Sequence, residues 1–207
     1  MRRLLAAFLL TLGLAAPALA APVPDNAPAD TPVAKAFYAS PLCQRLKALG
    51  LSIVAVTPLV GNEAVVAYYV PFQGAMSDWD DETRLVLYRW KGGTDFAREQ
   101  FITKAGDSIH GHLSGLEIRD LDGDGQPEII AAGMPGTKLG EVSTMIFRRD
   151  SATDAFQRIW DRHDLGAAVR ANGAQLFYSY QMWDPARTRQ YRYFKLAQGQ
   201  YQPAGGK

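Results

Sequence analysis

Nine residues in the middle of the chain, Asp120 to Glu128, have the residue types and spacing of a cation site. They read Asp-Leu-Asp-Gly-Asp-Gly-Gln-Pro-Glu, with acidic side chains at alternate positions and glycines between them. Calcium is a hard cation that takes about six to eight oxygen ligands, several of them carboxylates. Alternate acids can point toward one centre if the backbone curls tightly, and Gly123 and Gly125 permit that curl. The pattern therefore predicts a calcium loop.

The spacing assigns each ligand of this loop to a position. Asp120, Asp122 and Asp124 offer side-chain oxygens, Gln126 offers its backbone carbonyl, and Glu128 closes the shell from the next strand. The alternative is an acidic turn without metal, but four carboxylates so close together repel one another unless a cation is present. Calcium is a modest Lewis acid, and this shell fills most of its coordination positions. We therefore expect a structural role rather than a catalytic one.

An EF-hand begins with a similar pattern, but it needs a glutamate at loop position 12 and flanking helices. Here that position is Ala131, and the flanking sequences look like strands. The loop instead resembles the calcium loops of FG-GAP or VCBS-type repeats, which lie between adjacent strands of integrin-like propeller blades. The resemblance covers all nine loop positions and, as a strand pattern, residues 51–202. It implies the same ligand set for the ion.

The elements that must position this loop are short strands. From residue 51 onward, runs rich in Val, Ile and aromatic residues alternate with Gly and Pro, which predicts an all-β fold with a minor N-terminal helix. The predicted strands are Ser52 to Thr57, Ala64 to Val70, Thr83 to Trp90, Leu116 to Ile118, Glu128 to Ala132, Ser143 to Arg148, Phe156 to Trp160, Gln175 to Met182 and Gln190 to Leu196.

A weak internal repeat of roughly 50 to 60 residues groups these strands into units. Its copies begin at Gly61, Gly125 and Gly173, and the alignment places Ala64 opposite Glu128. Each copy then has an apolar strand, a turn and an aromatic residue, which is Phe96, Phe156 or Tyr201. Such a unit suits an antiparallel four-stranded meander. Closed propellers need about 4–8 blades, so we expect a partial or propeller-like arrangement.

A short, broken helical segment precedes the strands. Thr31-Pro32 and Ser40-Pro41 each combine an N-cap residue with a proline at the first helical position, and Gly50 supplies a stop. The apolar face of the second helix is predicted to contain Leu42, Leu46 and Leu49. We expect these helices to cover an open edge of the sheets, and residues 32–207 to form a single β-rich domain.

The N-terminus has the pattern of an export signal. Residues 1–20 combine a basic start, an apolar stretch and an Ala-x-Ala site, which predicts a signal peptide cleaved after Ala20. Residues 21–31 are rich in Pro and Ala, which favours a flexible leader. The remaining chain has a formal net charge of −1 and no basic stripe, which argues against nucleic acid as a partner. No membrane span or lipid anchor is predicted, so we expect a periplasmic or secreted protein.

The function is predicted less directly. No catalytic set stands out, so we expect a protein that is not an enzyme. The acidic loop around Trp79, Asp80 and Asp81 could anchor a basic protein partner. The chain resembles small periplasmic proteins that inhibit lysozyme-like peptidoglycan hydrolases or act as immunity proteins. This implies an inhibitor. The alternative is a module that binds polysaccharide or an envelope assembly, and self-pairing of an open sheet edge would give a homodimer.

Overall fold

The computed structural model describes residues 30–70, 82–104, 109–110, 112–134, 143–163, 165–169, 175–179 and 191–204. The predicted signal peptide (1–20) and nearly all of the predicted leader (21–31) lie outside these residues, so both stay predictions. Within the described part, short antiparallel strands dominate and two short helices precede them. This confirms the predicted fold class, an all-β protein with a minor N-terminal helix.

The described part contains two helices followed by thirteen strands. They are α1 (Pro32–Tyr38), α2 (Pro41–Ala48), β1 (Ser52–Pro58), β2 (Glu63–Val70), β3 (Glu82–Gly92), β4 (Asp95–Phe101), β5 (Ile109–His110), β6 (His112–Arg119), β7 (Glu128–Met134), β8 (Ser143–Arg149), β9 (Phe156–His163), β10 (Leu165–Val169), β11 (Gln175–Ser179), β12 (Tyr191–Ala197) and β13 (Gln200–Pro203).

The strands form three antiparallel meanders. The first sheet has the order β1-β2-β3-β4, with β5 added beside β3, and the other two have the orders β6-β7-β8-β9 and β10-β11-β12-β13. The predicted four-stranded units are thus confirmed. Sequence analysis missed β4, β5, β10 and β13. Two of them, β4 and β13, are polar strands with one buried residue each, so they lack the apolar run that marks a strand.

Both helices begin at the predicted capping residues. The Thr31 hydroxyl accepts a hydrogen bond from the amide of Ala34 at 3.3 Å, and the Ser40 hydroxyl accepts one from Cys43 at 3.0 Å. Each cap satisfies an amide that has no partner within its helix. The prediction for Leu49 is wrong, because α2 ends at Ala48 and the chain turns away there, leaving Leu49 76% exposed.

The helices pack on a face of the first sheet, whereas the sequence analysis expected them at an edge. Phe37 and Cys43 are fully buried against a layer of residues from β2 and β3 that includes Val66 and Tyr88. The opposite face of β2, with Val65, packs on the second sheet. Seven of the eight positions in β2 are therefore buried, as expected for a strand covered on both sides.

The second and third sheets also pack face to face. Ile130, Ile146 and Trp160 of the second sheet form one cluster with Phe194 and Tyr201 of the third. The rings of Trp160 and Phe194 meet edge to face, with centroids 4.6 Å apart. The described chain is therefore a stack of four layers: the helices, then the three sheets in sequence order.

The stacking faces correct the repeat alignment by one residue. Val65 faces the following sheet in the first meander, and Ile130 does so in the second. Glu63 of β2 is therefore equivalent to Glu128 of β7, whereas the sequence alignment placed Ala64 there. The difference matters because a shift of one residue moves every side chain of a strand to the opposite face.

Candidate metal centre

The loop from Asp120 to Glu128 closes the hairpin between β6 and β7 of the second sheet. Pairing of the two strands continues down to Arg119 and Glu128, so the loop starts and ends at one strand edge. Among the described residues, strands rather than helices flank the loop. The setting is that of a strand-to-strand turn and not of an EF-hand, as the sequence predicted.

Backbone amides curl this loop around its first acidic residue. The two carboxylate oxygens of Asp120 accept hydrogen bonds from the amides of Gly123 and Gly125, each at 2.8 Å. The Gly125 amide, the largest contributor, and other loop amides lower the pKa of Asp120 below its usual value. Both glycines have positive φ, +81° and +85°, which a residue with a side chain rarely adopts.

The same curl gathers the three aspartates. Asp120, Asp122 and Asp124 each place one carboxylate oxygen within 4.8 Å of the others, so these residues could hold a metal ion. The Oδ1 atom of Asp122 accepts from the amide of Asp124 at 3.3 Å, and the Oδ1 atom of Asp124 accepts from the amide of Gln126 at 2.8 Å. The loop backbone therefore fixes the orientation of all three carboxylates.

Glu128, the first residue of β7, adds a fourth carboxylate to the acidic group. Its side chain is fully buried, and its Oε2 atom accepts a hydrogen bond from the amide of Leu121 at 2.7 Å. Its Oε1 atom is also buried and has no hydrogen-bond donor among the described residues. Burial, reinforced by the charges of Asp122 and Asp124, raises the pKa of Glu128 to about 7.

Sequence analysis missed one residue of this centre, Arg148 of β8. Its guanidinium lies 2.6 Å from the Oδ2 atom of Asp122 and also contacts the Oδ2 atom of Asp124. Its Nε atom is 3.8 Å from the Oε1 atom of Glu128. The strand register would have identified Arg148, because pairing of Ile129 with Phe147 places Arg148 beside Glu128.

Gln126 lies in the loop and is exposed, and its part as a carbonyl ligand stays a prediction. Trp79, Asp80 and Asp81, the predicted partner-binding residues, lie outside the described residues and also stay a prediction.

Comparison of the chain with protein-family models, with curated proteins and with solved structures found no match. In the described part of the chain, neither helix has the length and apolar character needed to cross a membrane.

Proposed function

We propose that this chain is an exported calcium-binding protein in which the ion fastens the hairpin of the second meander. The observation that carries this proposal is the Oε1 atom of Glu128, which is buried without a hydrogen-bond donor beside the three aspartates of the loop. A buried carboxylate oxygen without a hydrogen-bond donor is costly, and the Arg148 guanidinium, whose Nε atom is 3.8 Å away, donates no hydrogen bond to it. A bound metal ion would coordinate this oxygen directly.

Comparison of Glu128 with the equivalent glutamate of the first meander supports a role for its Oε1 atom as a metal ligand. Glu63 is the equivalent residue of the first meander, and it is also buried. Both of its carboxylate oxygens accept hydrogen bonds from Arg149, at 2.8 and 3.0 Å. Glu128 has a donor on only one oxygen, although an arginine lies nearby. The second meander also differs from the first in having three aspartates, Asp120, Asp122 and Asp124, next to its glutamate.

Calcium suits the donor set better than other common ions do. The candidate ligands are carboxylate oxygens and one predicted carbonyl, which are the hard donors that calcium prefers. Zinc sites normally use cysteine or histidine, and the loop contains neither. Magnesium demands near-octahedral geometry and keeps several waters. Bound calcium would supply charge neutralisation and cross-linking of the loop to β7, which is a structural role.

Calorimetric titration of the protein from residue 21 onward tests this part of the proposal. We expect calcium to bind one site, magnesium to bind more weakly, and the Asp122→Ala variant to lose calcium binding. Asp95→Ala removes an exposed aspartate at the start of β4 and should bind like the wild type. Absence of calcium binding in the wild type would refute the metal site.

We further propose that the protein is a non-enzymatic module that binds another protein outside the cytoplasm, specifically as an inhibitor or immunity protein against a lysozyme-like peptidoglycan hydrolase. Three points support this: the predicted signal peptide, the resemblance to small calcium-loop inhibitors, and a stack of sheets that presents loops on a fixed scaffold. The acidic loop at Trp79 would attract basic hydrolases.

An inhibition assay against several peptidoglycan hydrolases that do not themselves need calcium tests this second part. We expect inhibition with calcium present, and loss of inhibition with a chelator or in Asp122→Ala, while Asp95→Ala inhibits normally. Replacing Trp79 and Asp80 with alanine should abolish inhibition without changing calcium binding. Full hydrolase activity under every condition would rule out the inhibitor and favour the polysaccharide or envelope-binding alternative, which a glycan pull-down would detect.

A further inference from the structure

Arg148 contacts the aspartate oxygens that accept no hydrogen bond from the loop backbone. In both Asp122 and Asp124, the Oδ1 atom accepts a backbone amide and the Oδ2 atom contacts the Arg148 guanidinium. These Oδ2 atoms are the aspartate oxygens best placed to bind an ion, because no amide competes for them. The arginine therefore holds the position that a metal ion would need.

Arg148 leaves Glu128 incompletely satisfied, and among the described residues no second arginine pairs with this glutamate. Glu63, in the equivalent position, has a cross-strand arginine, Arg89, also at 3.8 Å, but receives two further hydrogen bonds at 2.8 and 3.0 Å from Arg149. Arg148 approaches Glu128 only to 3.8 Å and donates no hydrogen bond to its buried Oε1 atom. Arg149 satisfies its buried carboxylate fully, whereas Arg148 bridges the two aspartates and leaves the buried glutamate oxygen without a donor.

We propose that Arg148 is a built-in competing cation that sets the affinity of this loop for calcium. The inference rests on the calcium site proposed above. Without calcium, the guanidinium neutralises part of the charge of Asp122 and Asp124 and keeps the loop folded. When calcium binds, it displaces the guanidinium from both aspartates and contacts Glu128 as well. Displacing the guanidinium costs free energy, so the loop binds calcium less tightly than its four carboxylates would allow.

The opposite role is an outer counter-ion that stays in contact with the carboxylates beside the metal. An arginine in that position would leave calcium affinity unchanged or increase it by orienting the ligands. Removal of the arginine therefore distinguishes the two roles by the sign of its effect on calcium affinity.

Arg148→Met tests the proposal, because methionine keeps an apolar stem and offers neither charge nor oxygen. We expect its calcium dissociation constant to be roughly tenfold lower than that of the wild type, since two partly exposed ion pairs no longer compete. Calcium should also raise the melting temperature of Arg148→Met more than that of the wild type. Arg158→Met removes the same charge from β9, where Arg158 pairs with Asp161 at 3.1 Å, and should change the calcium affinity less than about twofold.

A second measurement needs no destabilising variant. In wild-type protein with labelled arginine side chains, the Nη–H resonance of Arg148 should shift and lose protection from exchange as calcium is added, because the Nη atoms contact Asp122 and Asp124. The resonance of Arg149, held by Glu63, should stay unchanged and serves as the internal control. Arg148→Lys assigns the Arg148 resonance and, because it keeps the charge, should bind calcium with an affinity closer to the wild type.

The results of these experiments distinguish failure of the competing-cation role from failure of the calcium site. If the wild type binds calcium but Arg148→Met binds no more tightly, and the Arg148 resonance does not move, the competing-cation role is wrong and the calcium site stands. If neither protein binds calcium, the metal site fails and this inference fails with it.

Discussion

At the scale of single residues, the two loop glycines are held in a conformation that other residues avoid. Gly123 has φ +81°, and a Cβ atom placed there would meet no other atom within 4 Å. Alanine at this position would therefore be disfavoured by backbone strain alone and not by crowding. We expect Gly123→Ala to lower the free energy of unfolding by about 1–2 kcal/mol and to weaken calcium binding, measured by chemical denaturation and calorimetry.

Gly93→Ala is the matched control for this prediction. Gly93 lies in the β3–β4 turn with φ +54°, and a Cβ atom added to it would likewise meet nothing within 4 Å. It should lose a similar amount of stability but bind calcium normally, because its turn carries no ligand. Equal loss of calcium affinity in both variants would show that the effect is general destabilisation and not a property of the loop.

The acidic residues of the centre could be predicted from sequence because they lie within one short stretch. Asp120, Asp122 and Asp124 converge through hydrogen bonds inside the loop itself. Arg148 could not be found in the same way. Its place beside the loop depends on the register between β7 and β8, and that register is a property of the whole sheet.

At the scale of elements, one ion pair joins the first meander to the second. Arg149 at the end of β8 donates two hydrogen bonds to Glu63 at the start of β2, and the glutamate side chain is only 8% exposed. Glu63→Gln leaves the partly buried Arg149 guanidinium with its ion pair to the exposed Asp154, at 2.6 Å, and removes its charged hydrogen-bond partner. We therefore expect Glu63→Gln to lower the free energy of unfolding by about 1–3 kcal/mol, measured by urea denaturation.

A double-mutant cycle shows whether this loss comes from the pair. Glu63→Gln combined with Arg149→Met should be less destabilising than the sum of the single changes, because neither charge is then left alone. The partly exposed pair of Glu117 and Arg119 on β6 is the control, and its removal should cost less than about 1 kcal/mol. Additive effects at Glu63 and Arg149 would mean that the two residues stabilise the fold independently.

Phe37 is the largest fully buried side chain through which the described helices contact the first sheet. Phe37 of α1 is fully buried, and its ring centroid lies 5.1 Å from that of Phe96 and 5.5 Å from that of Tyr88. We expect Phe37→Ala to lower the free energy of unfolding by about 3–5 kcal/mol, because a large buried ring leaves a cavity. Leu49→Ala, at an exposed position, should change it by less than about 0.5 kcal/mol.

Element type was easier to predict than the exact face of each element. Apolar runs such as the one in β2 mark a strand by themselves, and capping residues mark the helix starts. The polar strands β4 and β13 took part in sheets only through pairing with their neighbours, which the chain does not encode locally. The offset of one residue between Glu63 and Glu128 likewise became visible only when the packing faces were known.

At the scale of the whole molecule, the layers are unequally covered. The first sheet lies between the helices and the second sheet, and seven of eight positions in β2 are buried. In β13 of the third sheet, only Tyr201 of the four positions is buried. Local opening requires less free energy where less apolar surface is buried. The edge strand β13 should therefore open before the central strand β2.

Native-state hydrogen exchange measures this order directly. We expect amides of β13 to open with a free energy at least about 2 kcal/mol below that of amides in β2. Phe194→Ala removes the ring that packs 4.6 Å from Trp160, so it should speed exchange in β12 and β13 while leaving β2 nearly unchanged. Phe37→Ala should speed exchange in β2 while leaving β12 and β13 nearly unchanged. With the calcium site proposed above, added calcium should slow exchange most in β6 and β7, whose ends the ion would join. Equal acceleration of all three sheets in both variants would mean that the layers unfold as one unit.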